Sequence, residues 1–210
     1  MIRSQFYYLG GGYMRINTVT RVLHMSMIIT VAFQLISSLL MFVPEPGKLV
    51  TYETVLFSLH IMLFGWGAFL ISSIYAMTRF AEKDAWGRLV PWFSKKHRAA
   101  FFKSAKEELP GVFTGNLAPP ENRTALAGAM HGLGFLTLIA LGLTGAYVMN
   151  GVRSDGTMTQ DMLFMFEMHE TFGIVIWTFL ACHVSMVIYH LILGHKHILD
   201  IFERIKIKWK

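Results

Sequence analysis

The chain has 210 residues, of which 54% are hydrophobic and only 15% charged, with a mean hydropathy of +0.47. So apolar a composition excludes an ordinary soluble domain and points to an integral membrane protein. The formal charge of +6 would suit nucleic acid, but lysines and arginines gathered on one side of a membrane give the same total, so no nucleic-acid partner is expected.

Residues 1–21 read as an N-terminal arm carrying Arg3, Arg15, Arg21 and the flexible Gly10-Gly11-Gly12. The first apolar run follows, long enough to span and without a small-residue cleavage site, so a spanning helix is expected rather than a cleaved leader. Four spans are predicted, at about 20–43, 54–78, 124–149 and 164–193. Pro44-Glu45-Pro46-Gly47 suits an exit turn from the first. The second holds His60 and Gly65-Trp66-Gly67, the third His131, and the fourth His169, His183 and His190.

Between the second and third spans, residues 79–123 change character. They are charged, with Trp86, Trp92, Phe101 and Phe102 interspersed, and Pro110, Pro119 and Pro120 are expected to break any long helix. Within them Lys95–Leu109 reads as a basic amphipathic helix, suited to the lipid headgroup level or to a solvated surface. Residues 194–210 form a basic tail. The one cysteine, Cys182, excludes an intramolecular disulfide and reads as a small packing residue. No C-x-x-C-H motif occurs, so any heme would be held without thioether bonds.

Sidedness follows from counting lysines and arginines. The arm has three, the 79–123 loop nine and the tail five, against one in each of the two short connections, so seventeen of nineteen fall on one side. The positive-inside rule places both termini and the long loop in the cytoplasm. The expected architecture is all-α: a single domain, 1–210, forming an integral membrane four-helix bundle with cytoplasmic termini and a cytoplasmic amphipathic loop helix.

Ionisable residues inside a membrane are costly and are functional candidates. His169 and His183 lie fourteen residues apart, which puts them on nearly one helix face with about 21 Å of rise between them. By depth, His60 matches His169 near the outer surface and His24 matches His183 toward the cytoplasm. Those two levels require about 39 Å of thickness, close to a bilayer of roughly 40–45 Å with its headgroups. Using His190 instead of His183 adds about 10 Å and overshoots. Two stacked bis-imidazole sites in a helical bundle suit two b-type hemes, imidazole being a good axial ligand for iron.

Gly65, Gly67, Gly128, Gly132, Gly134, Gly142, Gly145 and Gly173 could admit a flat macrocycle or serve close helix packing; the residues alone do not choose. A metal-ion transporter would bring intramembrane carboxylates, and the first three spans have none. Glu167 and Glu170 read as mouth residues that orient His169 or meet an outer partner. His97, His195 and His197 read as solvated.

Three segments carry a family likeness: Arg15-Ile16-Asn17-Thr18-Val19-Thr20-Arg21-Val22-Leu23-His24, Leu59-His60, and His169-Glu170-Thr171-Phe172-Gly173 continuing to His183. Across all four spans the chain resembles the bacterial di-heme cytochrome b superfamily. That group includes the formate dehydrogenase gamma subunit, the b-type cytochrome of nickel-iron hydrogenase, thiosulfate reductase cytochrome b, and a small standalone superoxide:quinone oxidoreductase. The resemblance implies axial ligation of an outer heme by His60 and His169 and of an inner heme by His24 and His183. The long 79–123 loop is similar to the formate dehydrogenase and thiosulfate reductase members, whereas His169-Glu170-Thr171 is similar to the standalone group. The formate dehydrogenase type carries an Asn and a Gln at the start of the third span, but this chain reads Asn122-Arg123-Thr124-Ala125-Leu126-Ala127, so that quinone site is not carried over. His131 and Arg123, near the inner heme by depth, take its place as candidate quinone contacts.

The resemblance implies a bacterial inner-membrane electron-transfer subunit, working between an iron–sulfur subunit of a catalytic oxidoreductase complex and the quinone pool, with membrane lipid around it. The alternative is a standalone superoxide:quinone oxidoreductase; its anion would meet outer loops in which Lys48 and Arg153 are outnumbered by Glu45, Glu53, Asp155 and Asp161. A heme-free anchor or transporter is the third reading.

Overall fold

The computed structural model describes residues 18–41, 52–119, 124–151 and 159–202. Four of its helices are long and apolar enough to cross a membrane: α1 (Thr18–Leu40), α2 (Tyr52–Phe80), α5 (Ala125–Gly151) and α6 (Gln160–Ile192). Their uncharged runs favour helix because only a helix satisfies every backbone N–H and C=O within a single segment in lipid. Large apolar side chains such as Ile29, Leu39, Met77 and Ile174 point outward, as lipid-facing positions do. No strand occurs among the described residues.

α2 is interrupted. Residues Leu59–Gly65 form a π-helical turn, a feature the hydropathy pattern does not announce. Between α2 and α5 lie α3 (Ala85–Leu89), a 3-10 turn (Pro91–Phe93) and α4 (Lys95–Thr114); a second 3-10 segment, Lys196–Phe202, follows α6.

The described residues form two compact units. One draws on Met1–Met25, Tyr75–Gly134 and Leu180–Lys210. Here the connecting segment is a packed structure. Ala85, Leu89 and Val90 are buried, with Phe80 against them. Glu82 pairs with both Arg79 (2.6 Å) and Arg88 (3.0 Å). Gly128 and Gly132 of α5 face Arg88 and the Leu89 backbone so closely that a Cβ at either would collide, so α3 requires glycine beneath it. α4 then caps α5. Thr124 accepts from the Ala127 amide (3.3 Å), Ser104 accepts from the Leu126 amide (3.0 Å), and both hydroxyls donate to the Glu108 carboxylate. An acidic group beside the N-terminus of α5 is favourable for the helix dipole.

Two expectations fail here. Pro110 does not end α4, which runs four residues further and stops at Gly115 (φ 74°), where the Asn116 amide returns to the Gly111 carbonyl at 3.1 Å. A left-handed glycine just past the last turn is a common helix end. His97 and His195 are not simply solvated. His97 packs over Gly87 and His195 Nδ1 lies 2.9 Å from His190 Nδ1, whereas His197 is exposed as expected, 3.6 Å from the equally exposed side chain of Asp200.

The other unit comprises Ser26–Ile74 and Phe135–Phe179. Phe33 and Phe64 stack with ring centres 3.7 Å apart, and Gly142 lets the Phe69 ring lie against α5. Ser37, Ser72 and Ile176 are fully buried. Cys182, which belongs to the first unit and is expected to be a small packing residue, is exposed on α6, one residue from His183.

Candidate functional site

Each unit holds its own histidines. In the second, His60 follows the start of the π-helical turn in α2, and His169 lies in α6 within electrostatic reach of it. Both rings are anchored at Nδ1. Ser37 Oγ lies 2.8 Å from His60 Nδ1 and donates its own hydrogen to the Gln34 carbonyl (3.1 Å). With the hydroxyl hydrogen placed on the Gln34 carbonyl, its oxygen is the acceptor, so the proton is assigned to His60 Nδ1 and Nε2 keeps its lone pair. His169 Nδ1 lies 3.0 Å from the Leu141 carbonyl and 3.1 Å from Thr144 Oγ1. Since a carbonyl only accepts, the same tautomer follows.

Two neutral imidazoles with Nδ1–H anchored and Nε2 bare are the arrangement that metal-ligating histidines adopt. Ser37, Gln34 and Thr144 were not singled out from the sequence, where they read as ordinary small polar residues. A serine three positions after a glutamine on a span preceding an intramembrane histidine was the available signal.

In the first unit, His24, His131 and His183 lie within electrostatic reach of one another. The His131 and His183 rings meet edge-on at 5.3 Å, and His131 Nδ1 bonds the Ala127 carbonyl at 2.7 Å. His24 sits between Tyr75 (5.9 Å) and Phe202 (6.4 Å), its Nδ1 buried without a hydrogen-bond partner. A buried orphan nitrogen is costly, and it is the kind of atom a metal would take. His190, by contrast, is engaged with His195. Arg123 lies outside the described residues. Glu167 and Glu170 are exposed; the groups that orient His169 are Leu141 and Thr144.

Among the described residues no three His, Cys, Asp or Glu side chains gather as a bare metal ion would need. Pairs of imidazoles suffice, however, for an iron whose other ligands come from a porphyrin. The glycines sort accordingly. Gly65, Gly128, Gly132 and Gly142 meet the protein's own atoms, and Gly145 meets the His169 ring, a Cβ there falling 3.1 Å from Cε1. Gly67 and Gly173 face open space, with nothing within 4 Å of an added Cβ. Gly173 is one turn from His169, on the face that continues through buried Ile176 to His183. The residues present thus fit a flat, bis-imidazole-ligated group.

A family model described as prokaryotic cytochrome b561 matches residues 15–204. No curated protein and no solved structure matches the chain.

Proposed function

Since this chain belongs to the prokaryotic cytochrome b561 family, and is thus a heme b-binding electron-transfer protein of the membrane, we propose that it is the di-heme cytochrome subunit of a respiratory oxidoreductase complex. It passes electrons between an iron–sulfur partner subunit and the quinone pool of a bacterial inner membrane. The observation that carries the two-heme reading is that each compact unit contains its own histidine set. His60 and His169 are the axial ligands of one heme, on the outer side, and His24 and His183 those of the other, toward the cytoplasm.

Bound heme b supplies reversible one-electron chemistry at its iron. The chain's residues bind and orient. Ser37, Leu141 and Thr144 hold two rings with Nε2 forward, Gly173 leaves room, and the apolar span faces exclude water. His131, its Nδ1–H committed to Ala127, presents a bare Nε2 that can accept a hydrogen bond from a quinol hydroxyl; Arg123 is the second candidate there. Both termini and the 79–123 segment lie in the cytoplasm on the strength of their lysines and arginines, and α4 rests on the lipid headgroups. Substrate oxidation belongs to a separate catalytic subunit. A self-contained superoxide:quinone oxidoreductase fits less well, because the exposed Glu167 and Glu170 beside His169 repel an anion.

A reduced-minus-oxidised spectrum with a pyridine hemochrome count on the purified chain tests the reading. Two b hemes per chain, with one lost in His183→Ala and the other in His60→Ala, are expected. A heme-free wild type, or mutants that keep both hemes, would overturn it. Quinol turnover in His131→Ala and co-purification of an iron–sulfur protein test the quinone site and the partner.

A further inference from the structure

Ser37 and Gln34, one turn apart on α1, both reach His60. Gln34 Nε2 donates to the His60 carbonyl at 2.8 Å, and Ser37 Oγ lies the same distance from His60 Nδ1, as its acceptor in the tautomer assigned above. These contacts coincide with the π-helical turn Leu59–Gly65. Such a turn widens the backbone ladder and recurs at functional sites. Gly65 makes it possible, since a Cβ there would lie 2.5 Å from the His60 carbonyl oxygen and 3.4 Å from Gln34 Nε2. Ser37 is 2% exposed, so water does not compete for its hydroxyl. His169 is different: its Nδ1 keeps a backbone carbonyl whatever side chains surround it.

We infer that Ser37 and Gln34 are the positioning residues of His60, Gln34 fixing its backbone within the π-helical turn and Ser37 fixing which ring nitrogen is left bare. The inference rests on the reading of His60 as an axial ligand. An acceptor on Nδ1–H strengthens the opposite nitrogen as a donor. A stronger donor favours the ferric state, so deleting the Ser37 hydroxyl raises the midpoint potential of that heme and loosens its hold.

The test is a spectropotentiometric titration of the full-length protein with a heme count, on wild type, Ser37→Ala, Ser37→Thr and Gln34→Glu. In Ser37→Ala one midpoint moves upward while the other stays, and the affected heme is lost roughly ten- to a hundredfold more readily. Ser37→Thr, which keeps the hydroxyl, returns the midpoint toward wild type. Gln34→Glu keeps the shape and loses the donor, so its low-spin ferric resonance shifts as the ring turns; it provides the readout if Ser37→Ala fails to assemble. Unmoved midpoints, resonance and heme content in the variants would overturn the inference with the ligand reading intact. A heme-free wild type would overturn that reading, and the inference with it.

Discussion

Tyr189 of α6 donates a 2.7 Å hydrogen bond to the Val112 carbonyl of α4, across 77 residues of sequence. Val112 lies in the last turn of α4, where carbonyls lack intrahelical partners. The tyrosine satisfies one of them just beyond Pro110, where the ladder has lost an amide. Tyr189→Phe is expected to cost about 1 kcal/mol, felt locally. Trypsin should cut earlier at Lys103 and Lys106, and amides of residues 95–114 should exchange faster, at unchanged heme content. Identical protection in the mutant would show that this contact does not hold α4.

The glycines separate packing from cofactor room. Gly132→Ala drives a methyl into the Leu89 backbone and is expected to cost about 1–3 kcal/mol as overpacking, seen as a lower unfolding temperature. Gly173→Leu enters open space, so helical content should hold while the heme count falls. If Gly173→Leu kept both hemes, the space beside His169 would not be the macrocycle's.

The four spans were legible because uncharged runs of twenty or more residues have one viable structure in lipid. The histidines were legible because an ionisable side chain there demands a reason. What escaped was local. The π-helical turn depends on Gly65 and on a donor from another helix, Gln34, and no periodicity within α2 contains that information. Ser37 and Thr144 look like the small polar residues that back-bond in any span; indeed both do so, to Gln34 and Ala140, while also holding a ring. Pro110 misled because proline disfavours a helix interior without forbidding it, whereas Gly115 ends α4 by a local left-handed turn closed on the Gly111 carbonyl. Eight glycines looked alike in the sequence, and it is their surroundings in the fold that tell seven of them apart.

Thr144 and Ser37 make opposite cases of one contact. Thr144→Val removes one acceptor from His169 Nδ1 but leaves the Leu141 carbonyl at 3.0 Å. Its effect on the midpoint potential should therefore be smaller than that of Ser37→Ala, where no second acceptor stands at His60 Nδ1 among the hydrogen bonds of the described residues. The same titration reads both. A Thr144→Val shift equal to or larger than that of Ser37→Ala would mean that the hydroxyl, and not the carbonyl, governs His169.

α4 carries a buried stripe, with Ser104 and Gly111 buried and Phe101 and Glu108 partly so, and an opposite face on which Phe102 (65% exposed), Leu109 (53%) and Phe113 (89%) recur at helical spacing beside exposed Lys95, Lys103 and Lys106. Aromatic side chains flanked by lysines suit the boundary between headgroups and acyl chains, where the ring enters lipid and the ammonium meets anionic phosphate. A nitroxide on Phe113→Cys, in a Cys182→Ser background, should be more accessible to oxygen than to a water-soluble nickel chelate in anionic vesicles. In zwitterionic vesicles, or at high salt, the chelate should gain access as the electrostatic part of the attraction is lost. Equal chelate access in both vesicle types and at both salt concentrations would remove lipid as the occupant of this face and assign the aromatic stripe to a protein partner.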